Sequence, residues 1–122
     1  MWIYAQRTGN LTAPDGKMLA IPGYSGHGSG KNAPDMQRVP NIGPCCRGWY
    51  TITEPFNSPL HGSFAMRLVP NAANEMYGRG GFMIHGDSLS KPGTASQGCI
   101  ILSRPVREKI WASGDHRLLV VA

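Results

Sequence analysis

His85 and Cys99 are the two residues of this 122-residue chain whose types and spacing invite chemistry. Thirteen residues rich in glycine, serine and proline separate them in "HGDSLSKPGTASQGCIIL". A thiol is a strong nucleophile only as the thiolate, and a neighbouring imidazole produces that state by taking its proton. Gly98, just before the cysteine, permits close approach of a substrate backbone and leaves room for an oxyanion pocket made of local N–H groups. Ser96 can stiffen the same turn by hydrogen bonding back to the main chain. Asp87, two residues past His85, either orients the imidazole or is a solvated turn carboxylate. The alternative for the pair is structural, with Cys99 a small buried hydrophobe and His85 a satisfied, half-buried side chain. Spacing alone leaves both readings open.

Positioning the pair falls to short strands. "FMIHG" (82–86) and "CIIL" (99–102) read as strands, the second nearly all apolar and hence central; if they are neighbours, the segment between them folds back and brings the two side chains together. Sixteen glycines and ten prolines exclude long helices over most of the chain. "WIYAQRT" and "KMLAIPGY", joined through the turn sequence "PDG", suggest an early hairpin. Residues 25–48 lack periodic apolar sequence and read as a long ordered loop. "WYTITE", then "SFAMRLVP" with Phe64, Met66 and Leu68 on one alternating face, and the closing "HRLLVVA" add further strands. One helix is expected in "SRPVREKIWASG", with Ser103 as N-cap, Pro105 in the first turn, Val106 and Ile110 on one face and Gly114 as the stop. The predicted fold is all-β or β-dominated, a sandwich or barrel with one short helix after the cysteine strand.

Length and 41% hydrophobic content suit one domain spanning 1–122. No apolar run approaches the roughly 20 residues of a membrane span, and no conventional signal peptide is visible at the start. Twelve Lys and Arg against seven Asp and Glu give a net charge of +5, which favours solubility and anionic partners, but the basic residues are scattered and form no nucleic-acid module. Three cysteines argue against a disulfide-built scaffold; the adjacent Cys45 and Cys46 read as buried thiols, and no zinc-ligand spacing or cofactor motif is present. Among the remaining histidines, His61 and His116 have no local partner that argues for a site, and His27 lies in the long loop. Trp49, Tyr50 and Trp111 read as core or rim packing.

"IHGDS" followed by "SQGCIIL" resembles the His-Gly and Ser-x-Gly-Cys signatures of the L,D-transpeptidase catalytic domain. With "YSGHGSGKN", "VPNIGP", "RGWYTI" and "SRPVREKIW", the likeness extends over about residues 18 to 121 and points to compact L,D-transpeptidase-like effectors of type VI secretion. The resemblance implies a β-sandwich-like fold in which Cys99 is the nucleophile and His85 the general base and later acid. It places the backbone of Gly98 and Cys99 around the oxyanion, with Ser96 and Gly86 shaping the pocket. Tyr24, Asn32, Gln97 and His27 become candidates for substrate contact. It implies no metal and no cofactor.

The implied substrate is the peptidoglycan stem peptide, cut between meso-diaminopimelate and D-Ala, with hydrolysis and D-amino-acid exchange as outcomes. It further implies delivery without a signal peptide into the periplasm of a target Gram-negative cell, with an immunity protein and a secretion-apparatus component as partners. Gln97 and Ile101 depart from the histidine and arginine common in cross-linking members. A housekeeping cross-linking enzyme and a non-enzymatic peptidoglycan-binding β module are the alternatives. A papain-type amidase fits less well, because there the cysteine precedes the histidine and opens a helix.

Overall fold

A computed structural model describes residues 1–20 and 22–122. Nine short strands form one sheet: β1 (Trp2–Ala5), β2 (Leu11–Thr12), β3 (Tyr24–Ser25), β4 (Gly48–Ile52), β5 (Phe56–Ser58), β6 (Gly62–Pro70), β7 (Met83–His85), β8 (Ile100–Ile101) and β9 (Arg117–Val121). They run in the order β2-β1-β9-β4-β6-β7-β8-β3, with β5 paired to β6 off that path. The sheet curls into a half-barrel, and helix α1 (Arg104–Ala112), the one α-helix among the described residues, follows the cysteine strand, as the L,D-transpeptidase-like reading requires.

Alternation builds the core. Trp2, Tyr4, Tyr50, Ile52, Leu118 and Val120 point inward from β1, β4 and β9, while Ile84 and Ile100, both fully buried, carry the core into β7 and β8. The alternation expected at Phe64, Met66 and Leu68 is broken. Phe64 adopts a left-handed φ of 57°, and Ala65 and Met66 are both buried beyond it, beside a register shift in the β5–β6 pairing.

Several expected boundaries move. The expected pairing of "WIYAQRT" with "KMLAIPGY" does not form: β1 pairs instead with β2, and the turn at "PDG" closes a single Thr12–Met18 bridge. Ile21 lies outside the described residues; Tyr24, at the end of the expected second strand, belongs instead to β3. Residues 26–47 are a loop as expected, braced by two 3-10 turns, Gly28–Gly30 and Pro34–Met36. β8 is not central but one place from the sheet's end, flanked by β7 and β3. Its apolar character reflects burial on both faces.

α1 starts at Ser103, whose backbone is extended as an N-cap requires although its hydroxyl makes no capping bond. Pro105 takes the first turn, and Ile110 is buried against the sheet. The helix is fastened by Arg107, only 6% exposed, whose guanidinium donates to the carbonyls of Leu102 (3.0 Å), Ser63 (2.9 Å) and Phe64 (3.0 Å). Those bonds tie α1 to β6 and to the end of β8. Among the described residues, no helix is long and apolar enough to cross a membrane. Replacing Arg107 by Met would leave three carbonyls without their donor, and is expected to lower unfolding free energy in urea by roughly 2–4 kcal/mol. A loss within experimental error would show that these bonds contribute nothing net.

Candidate active site

β7 and β8 are parallel, with Ile84 opposite Ile100 and His85 opposite Ile101. Continuing that register by one residue sets Cys99 opposite Met83. Alternation then puts Cys99 and His85 on the same face of the sheet, diagonally offset by two residues. The segment from Gly86 to Gly98 is therefore a crossover that returns along the strands, not a tight hairpin turn. Cys99 and His85 both line a cavity of about 750 Å³ together with His61, Gly86, Asp87 and Gln97. No hydrogen bond joins the two directly among the described residues.

The imidazole has a defined tautomer. Its Nδ1 lies 2.8 Å from the Gly86 carbonyl, which can only accept, so Nδ1 carries the proton and the neutral ring leaves its lone pair on Nε2. Nε2 is buried and has no hydrogen-bond partner. A buried acceptor without a partner is costly, and at a cavity wall it is an acceptor held ready for a proton. Burial, helped by the charges of His61 and Arg107, holds His85 below the ordinary imidazole range despite the Gly86 carbonyl. Burial also pushes the Cys99 thiol up, against the opposing pull of the Met83 amide and Arg79. The resting pair is thus a neutral thiol and a neutral imidazole, an arrangement in which the base must take the proton as attack begins.

The turn before the cysteine is held by two buried serines. Ser96, fully buried, donates to the Cys99 carbonyl at 2.6 Å and accepts from the amides of Gly98 (3.1 Å) and Gly26 (2.8 Å). Ser25 donates to the Gly98 carbonyl at 3.0 Å and accepts the Cys45 amide at 2.8 Å. Gly98 has φ +136°, and a Cβ there would sit 2.5 Å from the Phe82 ring and 2.6 Å from the Arg79 guanidinium. Only glycine fits. The expected oxyanion role of the Gly98 amide needs correction, since that N–H is occupied by Ser96; the amide of Cys99 itself is the remaining local candidate. Gly86 lines the cavity, and a Cβ there would meet the Arg107 guanidinium at 2.7 Å.

Asp87 does not orient His85. Its carboxylate accepts from Tyr24 Oη at 2.6 Å and from the amides of Ser88 and Gly93, turning it into the crossover loop. Burial opposes its ionisation, but these donors and Lys31 outweigh it and hold the carboxyl below the usual carboxylate range. Gly86, through its carbonyl, orients the ring instead.

The other expected substrate contacts separate in the same way. Tyr24 is a buried latch, accepting the Ala95 amide at 2.9 Å while it donates to Asp87; burial, then that bond, pushes its hydroxyl up to about 12. Asn32 occupies a left-handed φ of 55° and caps the Ser25 amide at 3.2 Å, a structural task away from the cavity. His27 is exposed on the long loop and does not line the cavity. Gln97 does line it.

Sequence reasoning missed His61, which lies between β5 and β6 and stacks on His85 with ring centroids 4.1 Å apart and planes 21° from parallel. No local motif signals a contact made across 24 residues; only the strand pairing reveals it. Cys45 and Cys46 are both reduced and fully buried, as inert thiols should be. Among the described residues, no group of three or more His, Cys, Asp or Glu side chains is placed to hold a metal ion.

Comparison with known proteins agrees with this architecture. The solved structure described as Bdellovibrio bacteriovorus Bd1075 superposes with a TM-score of 0.63 at 19% identity, over 99% of this chain and 46% of that one. The chain therefore shares its fold and spans under half its length. No curated protein matches. The family model for the Tlde1 domain matches residues 20–121. With a cysteine and a histidine on one wall of a β-sheet cavity, the chain belongs to the Tlde1 domain family, which includes L,D-transpeptidase-like catalytic domains.

Proposed function

We propose that Cys99 is the nucleophile and His85 the general base of an L,D-carboxypeptidase and D-amino-acid exchange enzyme, acting on the meso-diaminopimelate–D-Ala bond of peptidoglycan tetrapeptide stems. The observation that carries this reading is the unpartnered, buried Nε2 of His85, on the sheet face and cavity it shares with Cys99. Nε2 takes the thiol proton as Sγ attacks the diaminopimelate carbonyl. The tetrahedral oxyanion faces the Cys99 amide. On collapse, His85 returns the proton to the departing D-Ala amine, and a thioester to Cys99 is left. Water, deprotonated by His85, then gives tripeptide and free thiol; a D-amino acid in its place gives a modified tetrapeptide.

Two features favour hydrolysis and exchange over cross-linking. Ile101, where cross-linking members often carry arginine, is 3% exposed and offers no charge to a second stem's carboxylate. Gln97, in place of histidine, presents an uncharged amide at the cavity wall. The resemblance and the family support a role as a type VI secretion effector that acts in the periplasm of a target cell and is countered by an immunity protein.

Incubation with disaccharide-tetrapeptide should release D-Ala and leave tripeptide; added D-Met should yield a modified tetrapeptide, with little dimer. Mass spectra showing cleavage between D-Glu and diaminopimelate would replace this reading. Cys99→Ala and His85→Ala should each lower turnover by at least about a thousandfold while the melting temperature stays close to that of wild type. Exported wild type alone should swell or lyse a Gram-negative host.

The pH dependence follows from the sign of the imidazole shift. His85 acts as base only when neutral, and its pKa is held below the ordinary 6.5, so kcat/KM should rise through an acid midpoint below 6.5 and hold its level through neutrality. A profile still climbing through pH 7 to 8 would mean that a pre-formed Cys99 thiolate, not base-assisted attack, limits the reaction.

A further inference from the structure

The connection from β6 to β7 carries a charge that the mechanism above does not use. Arg79 donates from its guanidinium to four backbone carbonyls: Gln37, Gly43 (3.0 Å) and Pro44 (2.9 Å) on the long loop, and Gln97 (3.2 Å) on the turn that leads into Cys99. One face packs on Phe82, with the guanidinium carbon 5.0 Å from the ring centroid. No carboxylate lies within ion-pair distance of it among the described residues. Its partners are neutral dipoles, so its charge is left uncompensated beside the nucleophile's turn. The close fit shows at Gly98, where a Cβ would strike both Arg79 and Phe82.

Resting on the reading of Cys99 as nucleophile, we propose that Arg79 is its positioning residue: the guanidinium clamps the Gln97–Gly98 turn to the 37–44 segment, and its unpaired charge favours the sulfur as it becomes negative. The fork geometry matters, because five fixed N–H donors can span carbonyls from two separate segments where an ammonium cannot. The other titratable groups facing the site do not supply this charge. His85 must be neutral to act, and His61 covers its ring. Asp87 is held by Tyr24 and backbone amides, Lys91 stands at the cavity rim on the exposed crossover loop and, among the described residues, makes no side-chain bond to the Cys99 turn, and Cys45 stays protonated because burial pushes its thiol up. The opposing pull of Arg79 on the Cys99 thiol agrees with this placement.

The test reads Cys99 alkylation by iodoacetamide against pH, site-resolved by mass spectrometry, beside steady-state turnover on disaccharide-tetrapeptide. Arg79→Gln should raise the alkylation midpoint by roughly one pH unit, as loss of a nearby opposite charge does, and lower kcat about tenfold or more, with KM less affected. Arg79→Lys keeps the charge without the fork, so its midpoint should stay within about 0.3 unit of wild type while kcat still falls. A folded Arg79→Gln protein with the wild-type midpoint overturns the proposal. Should that variant fail to fold by circular dichroism, Arg79→Lys decides: wild-type kcat, or a midpoint raised by a full unit, overturns it. Alkylation needs no turnover, so a Cys99→Ala protein that remains active would defeat the reading of Cys99 while leaving the Arg79 midpoint to be judged on its own.

Discussion

The site depends on a parallel strand pair joined without a helix. In most parallel pairs the crossover helix satisfies its own backbone, and the returning chain enters the next strand with its polar groups already paired. Here the crossover from Gly86 to Gly98 has no such ladder, and its last residues are buried: Ser96 is fully covered and Gly98 nearly so. Buried amides and carbonyls must find partners. Ser25, Ser96 and Arg79 supply them from three separate segments, and each of those bonds also limits where Cys99 can sit. The satisfaction of a buried turn and the placement of the Cys99 thiol are therefore the same set of interactions.

That burial also sets the electrostatics. A thiolate–imidazolium pair in this cavity would require two desolvated charges, and burial opposes each: it pushes the thiol up and the imidazole down. The resting pair is accordingly uncharged. His61, stacked face to face on His85, reinforces this by shielding the ring and by opposing positive charge on it. The Gly86 carbonyl performs the orienting task often given to a carboxylate, which keeps a negative charge away from the base and keeps the imidazole weakly basic.

Much of this was legible in the sequence, and what was not has physical reasons. The β-dominated class, helix α1 and its Pro105 start, the long loop and the placing of His85 and Cys99 on two neighbouring strands follow from turn residues, alternation and a short motif, all of which act locally. The order of strands does not. β1 pairs in parallel with β9 across the whole chain, and no local pattern encodes that register. The role of Asp87 stayed open in the sequence between an orienting carboxylate and a turn residue, because proximity in sequence does not decide proximity in space. Along an extended strand, residues two apart share a face, but the carboxylate was free to turn toward Tyr24, 63 positions earlier. Tyr24 and Asn32, expected to contact substrate, hold the loop instead; a motif records that a residue is needed without recording whether it touches substrate or neighbours. His61 and Arg79 carry no motif at all, since each acts through a contact that exists only after the sheet has closed.

Glycine shows how composition alone conceals function. Sixteen of them first read as punctuation between short strands, and several are that and no more. Gly62, Gly80, Gly81 and Gly86 line the cavity, however, and for Gly62, Gly80 and Gly81 nothing in the protein stands within 4 Å of where a Cβ would be. The space is open on the cavity side. A wall made of bare backbone is wider than one made of side chains, and it exposes amides and carbonyls that can pair with the main chain of an extended peptide. Such a wall suits a ligand recognised through its backbone, with selectivity left to the few side chains at the rim, among them Gln97, Lys91 and Leu60. The same lack of side chains that prevents these segments from forming long regular strands leaves open space beside Cys99.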